Sequence, residues 1–269
     1  RMPTIAGLRR RGYTAQSIRT FWKEAGVAKA ESIIPMGVLE NAVRSDMNDN
    51  ASRVMAVLDP VKVVLTNYPE GESEWLEAPR HPQKPEMGNR SVPLSREIWI
   101  ERGDFMEDPP RKFFRLRPGG EVRLRNAFII KCTDIIKNSK GEIIEIHCEY
   151  DPESRSGLPG ASRKVKGTIH WVSAEHGVNA EVRLYDRLFN VANPLADKEK
   201  SYLDFLNPDS LEIVSHAIVE PAVASGEPGD YFQFERVGYF TIDQDSKDTE
   251  HPILNRTVSL RDSSAKLNR

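Results

Sequence analysis

Between Arg111 and Tyr150 the chain reads RKFFRLRPGGEVRLRNAFIIKCTDIIKNSKGEIIEIHCEY, and alternation in the first half of that stretch constrains the fold more than any other feature. Phe114, Leu116, Val122 and Leu124 share one parity, while Arg115, Arg117, Arg123 and Arg125 share the other, the period of a half-buried strand pair. A three-residue loop at Pro118-Gly119-Gly120 keeps that parity, setting Leu116 opposite Val122 and Arg115 opposite Arg123. A two-residue Gly119-Gly120 loop would instead set Leu116 against Arg123. The three-residue loop therefore predicts a hairpin with one apolar face and four arginines on the other. Like charges directly opposite one another are unfavourable unless an anion lies between them, so this face fits a phosphate backbone or an unpaired base edge. A solvated face of snorkelling arginine stems is the alternative.

The rest of the chain follows the same strand-rich pattern after a helical start. Thr14 is a helix N-cap, Ile18, Phe21, Trp22 and Ala25 follow at helical spacing, and Gly26 stands where a C-terminal glycine belongs. A second helix is expected from about Met36 to near Asn50, carrying Val38, Leu39, Ala42, Val43 and Met47. From Arg53 onward short strands are expected at Val54–Leu58, Val61–Leu65, Glu97–Ile100, the two hairpin arms, Phe128–Lys137 paired with Glu142–Tyr150, Val165–Val172, Glu181–Tyr185, Ser210–Ile218, Asp230–Phe234, Gly238–Ile242 and Arg256–Leu260. Many short strands separated by turn residues predict barrels or sandwiches. Stretches rich in Pro, Gly and Glu at Pro69–Gly88, Asp151–Arg163 and Asn193–Lys200 read as loops.

With 38 Lys and Arg against 40 Asp and Glu, the net charge of -2 announces no nucleic acid globally, and any basic surface must be local. Arg9-Arg10-Arg11 is read as preceding a helix start, where cations and a helix N-terminus could hold a phosphate together; a solvated triple arginine is the commoner outcome. Cys132 and Cys148 lack metal-ligand spacing and read as reduced interior thiols, although their positions in facing hairpin arms make a disulfide geometrically possible. The six histidines are scattered, and His170-Trp171 in TIHWVS reads as a core or interface pair. There is no Gly-rich phosphate loop, paired-histidine helix or serine elbow. Lys137-Asn138-Ser139-Lys140 superficially matches a lysine-serine catalytic loop, but it falls at a predicted hairpin turn. No stretch reads as a signal peptide or spanning helix, which predicts a soluble intracellular chain, and the opening at Arg1 reads as a piece of something longer.

Eight blocks carry a family resemblance from end to end: RMPTIAGLRRRGYTAQSIR, AVLDPVKVV, HPQKPEMGNR, EVRLRNAFIIK, KVKGTIHWVSAEH, RLYDRLF, FQFERVGYF and NRTVSLRD. In this order they resemble the C-terminal, tRNA-binding part of the glutaminyl-tRNA synthetase family, class I aminoacyl-tRNA synthetases whose nucleotide-binding catalytic domain ends just before RMPT. The resemblance implies a mainly β fold: a helical tRNA-contacting subdomain at 1–52, then two antiparallel β-barrels. The proximal anticodon-binding barrel would span 53–168 and be completed by about 250–262, with the distal anticodon-binding barrel at 169–249.

The resemblance also implies site roles. Arg53, with Gln233 and Arg236, matches residues at the middle anticodon base, Arg123 a residue at the first, and Arg115 one at the third. Lys112 lies beside that third-base position, and Arg261 in the SLRD segment is expected to make a backbone or base contact. The chain departs from the family where Lys112-Phe113-Phe114-Arg115 stands in place of Gln-Tyr-Lys-Arg, so that Phe114 replaces a lysine. The implied partner is glutamine tRNA, bound by a cytoplasmic monomer with no role for DNA or membrane. No cofactor is expected on this chain itself, ATP and Mg2+ being used by the parent ligase, and no catalytic or metal site is expected here. The barrels of a glutamyl-tRNA synthetase, a non-catalytic ribosomal-RNA-binding barrel, and an enzyme with its own barrel site are the alternatives; the last requires converging carboxylates or histidines, which the sequence does not display.

Overall fold

The computed structural model describes residues 4–26, 33–155 and 157–261; residues 1–3 of the opening block and residue 262 of the expected closing segment lie outside them. The chain is mainly β, with two nearly closed barrel-like sheets and a small N-terminal helical region. Its first elements are α1 (Ile5–Arg10), α2 (Ala15–Ala25), α3 (Met36–Asn50), β1 (Ser52–Val54), β2 (Ala56–Val57), β3 (Pro60–Leu65), β4 (Ser73–Pro79), β5 (Asn89–Ser95) and β6 (Glu97–Glu101). There follow β7 (Glu121–Leu124), β8 (Ile129–Lys137), β9 (Ile143–Asp151), β10 (Thr168–Ile169), β11 (Trp171–Ser173), β12 (Val178–Tyr185), β13 (Leu211–Val219), α4 (Pro221–Ala224), β14 (Tyr231–Phe234), β15 (Gly238–Ile242) and β16 (Ile253–Ser259).

The helices begin where side-chain oxygens can satisfy free N–H groups. Thr14 Oγ1 accepts from the Ser17 N–H at 3.0 Å, and Gly26 ends α2 at a φ of 70° that suits glycine. Thr4 caps the unexpected short helix α1 in the same way. The arginine triplet thus ends a helix instead of leading into one: Arg10 pairs with Asp243, and Arg11 donates to the carbonyls of Arg256 and Tyr185. Between them and α2, Gly12 has a φ of 100°, and a Cβ there would collide with the Thr241 and Thr257 hydroxyls.

One seven-stranded sheet runs β10-β7-β8-β9-β3-β6-β11. Its two edge strands are separated in sequence by His170 alone, so the chain steps from one edge to the other and the sheet rolls up. His170 is buried, with Glu101 3.5 Å away, and the fully buried Trp171 donates its indole N–H to the Arg125 carbonyl at 3.0 Å, giving this pair an interior role. The other seven-stranded sheet runs β1-β14-β15-β16-β12-β13-β2.

Four expectations change. The arginine hairpin does not form: β7 pairs antiparallel with β8 and parallel with β10, and the register partners of Arg123 are Ile129 and Thr168, not Arg115. The Pro109–Pro118 segment carries three prolines, which cannot donate to a ladder, and it makes only a lone bridge from Leu116 to Phe105. Parity still selects the core, since Leu116, Val122 and Leu124 are buried, whereas Phe114 is not.

The supposed loop at Pro69–Gly88 contains β4, which pairs with β5 in a two-stranded ribbon that accommodates Pro79 and Pro93 while burying Leu76 and Ala78. The C-terminal strand β16 lies between β15 and β12 and completes their sheet, not that of β3, β6 and β7. Finally, the helices do not cluster as a separate unit. One compact unit comprises the described residues within Arg1–Arg53, Glu181–Ser215 and Gly226–Arg269, and the other comprises Val54–Ala180 and His216–Ser225.

Each unit has its own apolar centre. In the first, Val43, Met47 and Ala51 pack with Tyr13, Tyr239 and Val258. The second buries a larger set including Met55, Val63, Leu94, Ile98, Leu124, Ile146 and Trp171. Each such aliphatic or aromatic side chain removed from water contributes about 1.5–3 kcal/mol before ordering costs. Cys132 and Cys148 face one another across β8 and β9 as buried free thiols.

Candidate nucleic-acid interface

In the first unit the structure brings Arg53, Gln233 and Arg236 onto neighbouring elements. Arg53 lies on β1, next to β14 in the sheet, and its residue is only 7 % exposed. Its Nη1 donates to the Ala51 carbonyl at 2.7 Å and its Nη2 to Asn48 Oδ1 at 3.1 Å. Burial pushes its guanidinium below the usual arginine range, partly offset by the fields of Tyr239, Glu235 and Asp49. A guanidinium has five N–H donors, so Arg53 keeps several beyond those two hydrogen bonds.

Gln233 projects from β14 opposite Tyr239 on β15. Its Oε1 is buried and accepts no hydrogen bond among the described residues. An unpaired buried amide oxygen costs about 1–3 kcal/mol. Arg236 sits in the turn joining these strands, closed by the Val237 N–H donating to the Phe234 carbonyl at 3.0 Å. Its φ of 69° is the left-handed conformation that glycine adopts without strain. The turn's geometry therefore favours glycine, yet it carries an exposed arginine. Arg261, also exposed, lies two residues beyond β16, where Ser259 Oγ donates to its carbonyl.

In the second unit Arg123 on β7 is anchored more firmly than alternation implied. Its Nη1 donates to the Ser154 carbonyl at 2.7 Å, and its Nη2 donates to the carbonyls of Ala161 and Arg163 at 3.1 Å each. Three of its five donors thus bind carbonyls on either side of the 152–163 loop, leaving two beyond these bonds. Arg115 lies at an edge of the Pro-rich segment, where its Nε is 3.2 Å from the buried carboxylate of Asp104 and its Nη1 donates to the Gly103 carbonyl at 2.8 Å. Lys112 is exposed in the preceding turn.

Sequence patterning missed Asn48 and Tyr239, which frame Arg53, and Asp104, which orients Arg115. Tyr239 was accessible in principle, because the FQFERVGY turn sets it across from Gln233. Asn48 and Asp104 carried no periodic signal. A groove of about 570 Å³ lies elsewhere in the second unit, lined by Val61, Arg102, Phe105, Glu107 and Ile143 among others. Among the described residues no three His, Cys, Asp or Glu side chains are grouped to hold a metal ion, and no helix is long and apolar enough to cross a membrane.

The two barrel-like sheets carry Arg53 and Arg123, each held by neighbouring carbonyls or side-chain oxygens. The chain belongs to the family described as tRNA synthetases class I (E and Q), anti-codon binding domain, which matches residues 51–151 and, with its second domain, residues 168–243. Within that class it is similar to the glutamine--tRNA ligases of Cupriavidus metallidurans (56% identical over 264 residues, 98% of this chain and 45% of the relative) and Xylella fastidiosa (53% over 263 residues, 97% and 45%). The glutamine--tRNA ligase of Cronobacter sakazakii is 52% identical over 267 residues, 99% of this chain and 48% of the relative. The chain spans about half the length of these curated relatives.

Proposed function

We propose that this chain reads the anticodon loop of glutamine tRNA as the RNA-binding part of a glutamine–tRNA ligase. The parent joins glutamine to its tRNA using ATP and Mg2+, while the part described here binds RNA, holds no cofactor and performs no chemistry. It works in the cytoplasm as a monomer, and helices α1–α3 meet the inside of the tRNA L.

The observation that carries this reading is the buried, unpaired Gln233 Oε1 on the strand beside Arg53, whose guanidinium retains donors. An acceptor next to donors fits the edge of an unstacked base, which both donates and accepts. Arg53, Gln233 and Arg236 read the middle anticodon base. Arg123 offers its two remaining donors to the first base, Arg115 and Lys112 meet the third, and Arg261 contacts the backbone.

The test is equilibrium binding of this chain to glutamine tRNA transcripts with native and substituted anticodons at fixed salt, because phosphate contacts alone give sequence-independent affinity. Substituting the middle base and Arg53→Ala should each weaken binding by about 1–3 kcal/mol, roughly 5- to 150-fold, with little further loss when combined. Binding that ignores both changes overturns the reading. Because the family covers both E and Q enzymes, tighter binding to glutamate tRNA would transfer the chain to the other branch.

A further inference from the structure

The side chain that departs most from its sequence pattern is Phe114. Its parity with Leu116, Val122 and Leu124 places it in the core, and those three are fully buried, yet Phe114 is 53% exposed. The backbone explains why. The Phe113 N–H closes a turn onto the Pro110 carbonyl at 2.9 Å. Two residues beyond Phe114, Leu116 is fixed by both backbone groups, donating to the Asp104 carbonyl at 2.9 Å and accepting from the Met106 N–H at 3.2 Å. Phe114 lies between these anchors, in no strand ladder, and its ring points outward.

Its surroundings are those of a platform. The Gly167 backbone lies so close behind that a Cβ there would come within 2.3 Å of the Phe114 carbonyl oxygen. The Gly167 carbonyl in turn accepts the Arg123 N–H at 2.9 Å, tying this spot to β7. The neighbouring Lys166 holds its Nζ 5.7 Å from the centre of the Phe114 ring, and the Arg115 guanidinium lies 5.8 Å from the ring centre of Phe113. Two separate segments, 113–115 and 166–167, thus bring an exposed aromatic ring and the Lys166 cation together.

We propose that Phe114 is a base-stacking residue: one unpaired base of the RNA loop lies on its ring while Lys166 meets the adjoining phosphate. An aromatic face accepts any base, and a flanking cation follows the backbone, the combination by which proteins hold single-stranded RNA. This rests on the RNA-reading function proposed above.

The experiment measures binding of the 269-residue chain to the anticodon stem-loop of glutamine tRNA at several salt concentrations, together with fluorescence of stem-loops carrying 2-aminopurine at single unpaired positions. Phe114→Leu keeps apolar bulk and removes the ring; it should weaken binding by roughly 5- to 150-fold, the range expected for one stacked base, at every salt concentration. It should also abolish the quenching that the native chain produces at one loop position, and Phe114→Tyr should restore both. Lys166→Ala should instead lower the slope of log affinity against log salt by about 1. If the native chain discriminates anticodons but Phe114→Leu binds and quenches as the native chain does, the stacking role is refuted and the RNA-reading function stands. If the native chain ignores the anticodon, both fall together.

Discussion

Asp243 ties the N-terminal helices to the sheet of the first unit, and its chemistry sets how that unit responds to acid. Its side chain is inaccessible to solvent. It accepts hydrogen bonds from Arg10 Nη2 at 2.7 Å and Nε at 3.0 Å, from the Asp245 N–H at 2.8 Å and from Asn255 Nδ2, with Arg183 3.6 Å away. Burial alone would raise its pKa, but these partners outweigh it and hold the carboxyl at about 2, below its ordinary 3.8. A depressed carboxylate pKa contributes stability above the unfolded value and loses it as pH falls through the folded one.

Over the interval from 3.8 to about 2, at about 1.4 kcal/mol per pH unit, the ionised Asp243 contributes roughly 2 kcal/mol at neutral pH, most of which is gone at pH 2. Asp243→Asn should therefore destabilise this unit strongly at pH 7, and the gap between variant and native chain should close by roughly 2 kcal/mol between about pH 4 and pH 2. Urea titrations followed by methyl NMR of Ile242, Leu254 and Val258 isolate the transition of this unit. A gap that stays constant from pH 5 to pH 2 refutes the argument, because the network would then contribute through packing and not through charge.

Two further outcomes follow from the geometry. In the second unit, Arg90 Nε and Glu220 Oε1 are 2.6 Å apart with side chains only 1% and 2% exposed; Glu220→Ala should cost about 3–5 kcal/mol in urea unfolding, and Arg90→Met combined with Glu220→Leu should recover most of it, because the single change strands a buried cation. At the β14–β15 turn, Arg236→Gly should be more stable than Arg236→Ala by about 1 kcal/mol, since only glycine takes the positive φ without strain, while both weaken anticodon binding equally. Equal stabilities for the Gly and Ala variants would remove backbone strain from the account of that turn.

Much of the local structure was legible in the sequence. Thr14 and Gly26 bracket α2 because capping is a matter of nearest neighbours, and the Asn138–Gly141 turn between β8 and β9 identifies the Lys137–Lys140 match as a decoy for the same reason. Apart from the first hairpin arm, most strands from β6 onward fall where short strand-forming runs between turns place them; β6, β7 and β14 alternate as half-buried strands do, whereas β15 is buried throughout. The stretch around β4 was misread because its flanking Pro, Gly and Glu residues mask a short alternation in which only Leu76 and Ala78 are fully buried.

Pairing partners were another matter. Alternation records which face of a strand is buried and is silent about which neighbour buries it, so Leu116 and Val122 were rightly placed in the core while the hairpin between them was not. The ladder partner of Arg123, the carbonyl cradle from Ser154, Ala161 and Arg163, and the insertion of β16 between β12 and β15 depend on contacts distant in sequence. Gln233 likewise looks ordinary in FQFER, and only packing shows that its acceptor oxygen is buried without a partner. The sequence by itself determined α2, α3 and the strand-rich class, since propensity, capping and periodicity act within a few residues. The tertiary structure alone decided how many donors each arginine commits to neighbouring oxygens, and that Phe114 faces water, because hydrogen-bond satisfaction and burial are settled between segments that meet only once the chain has folded.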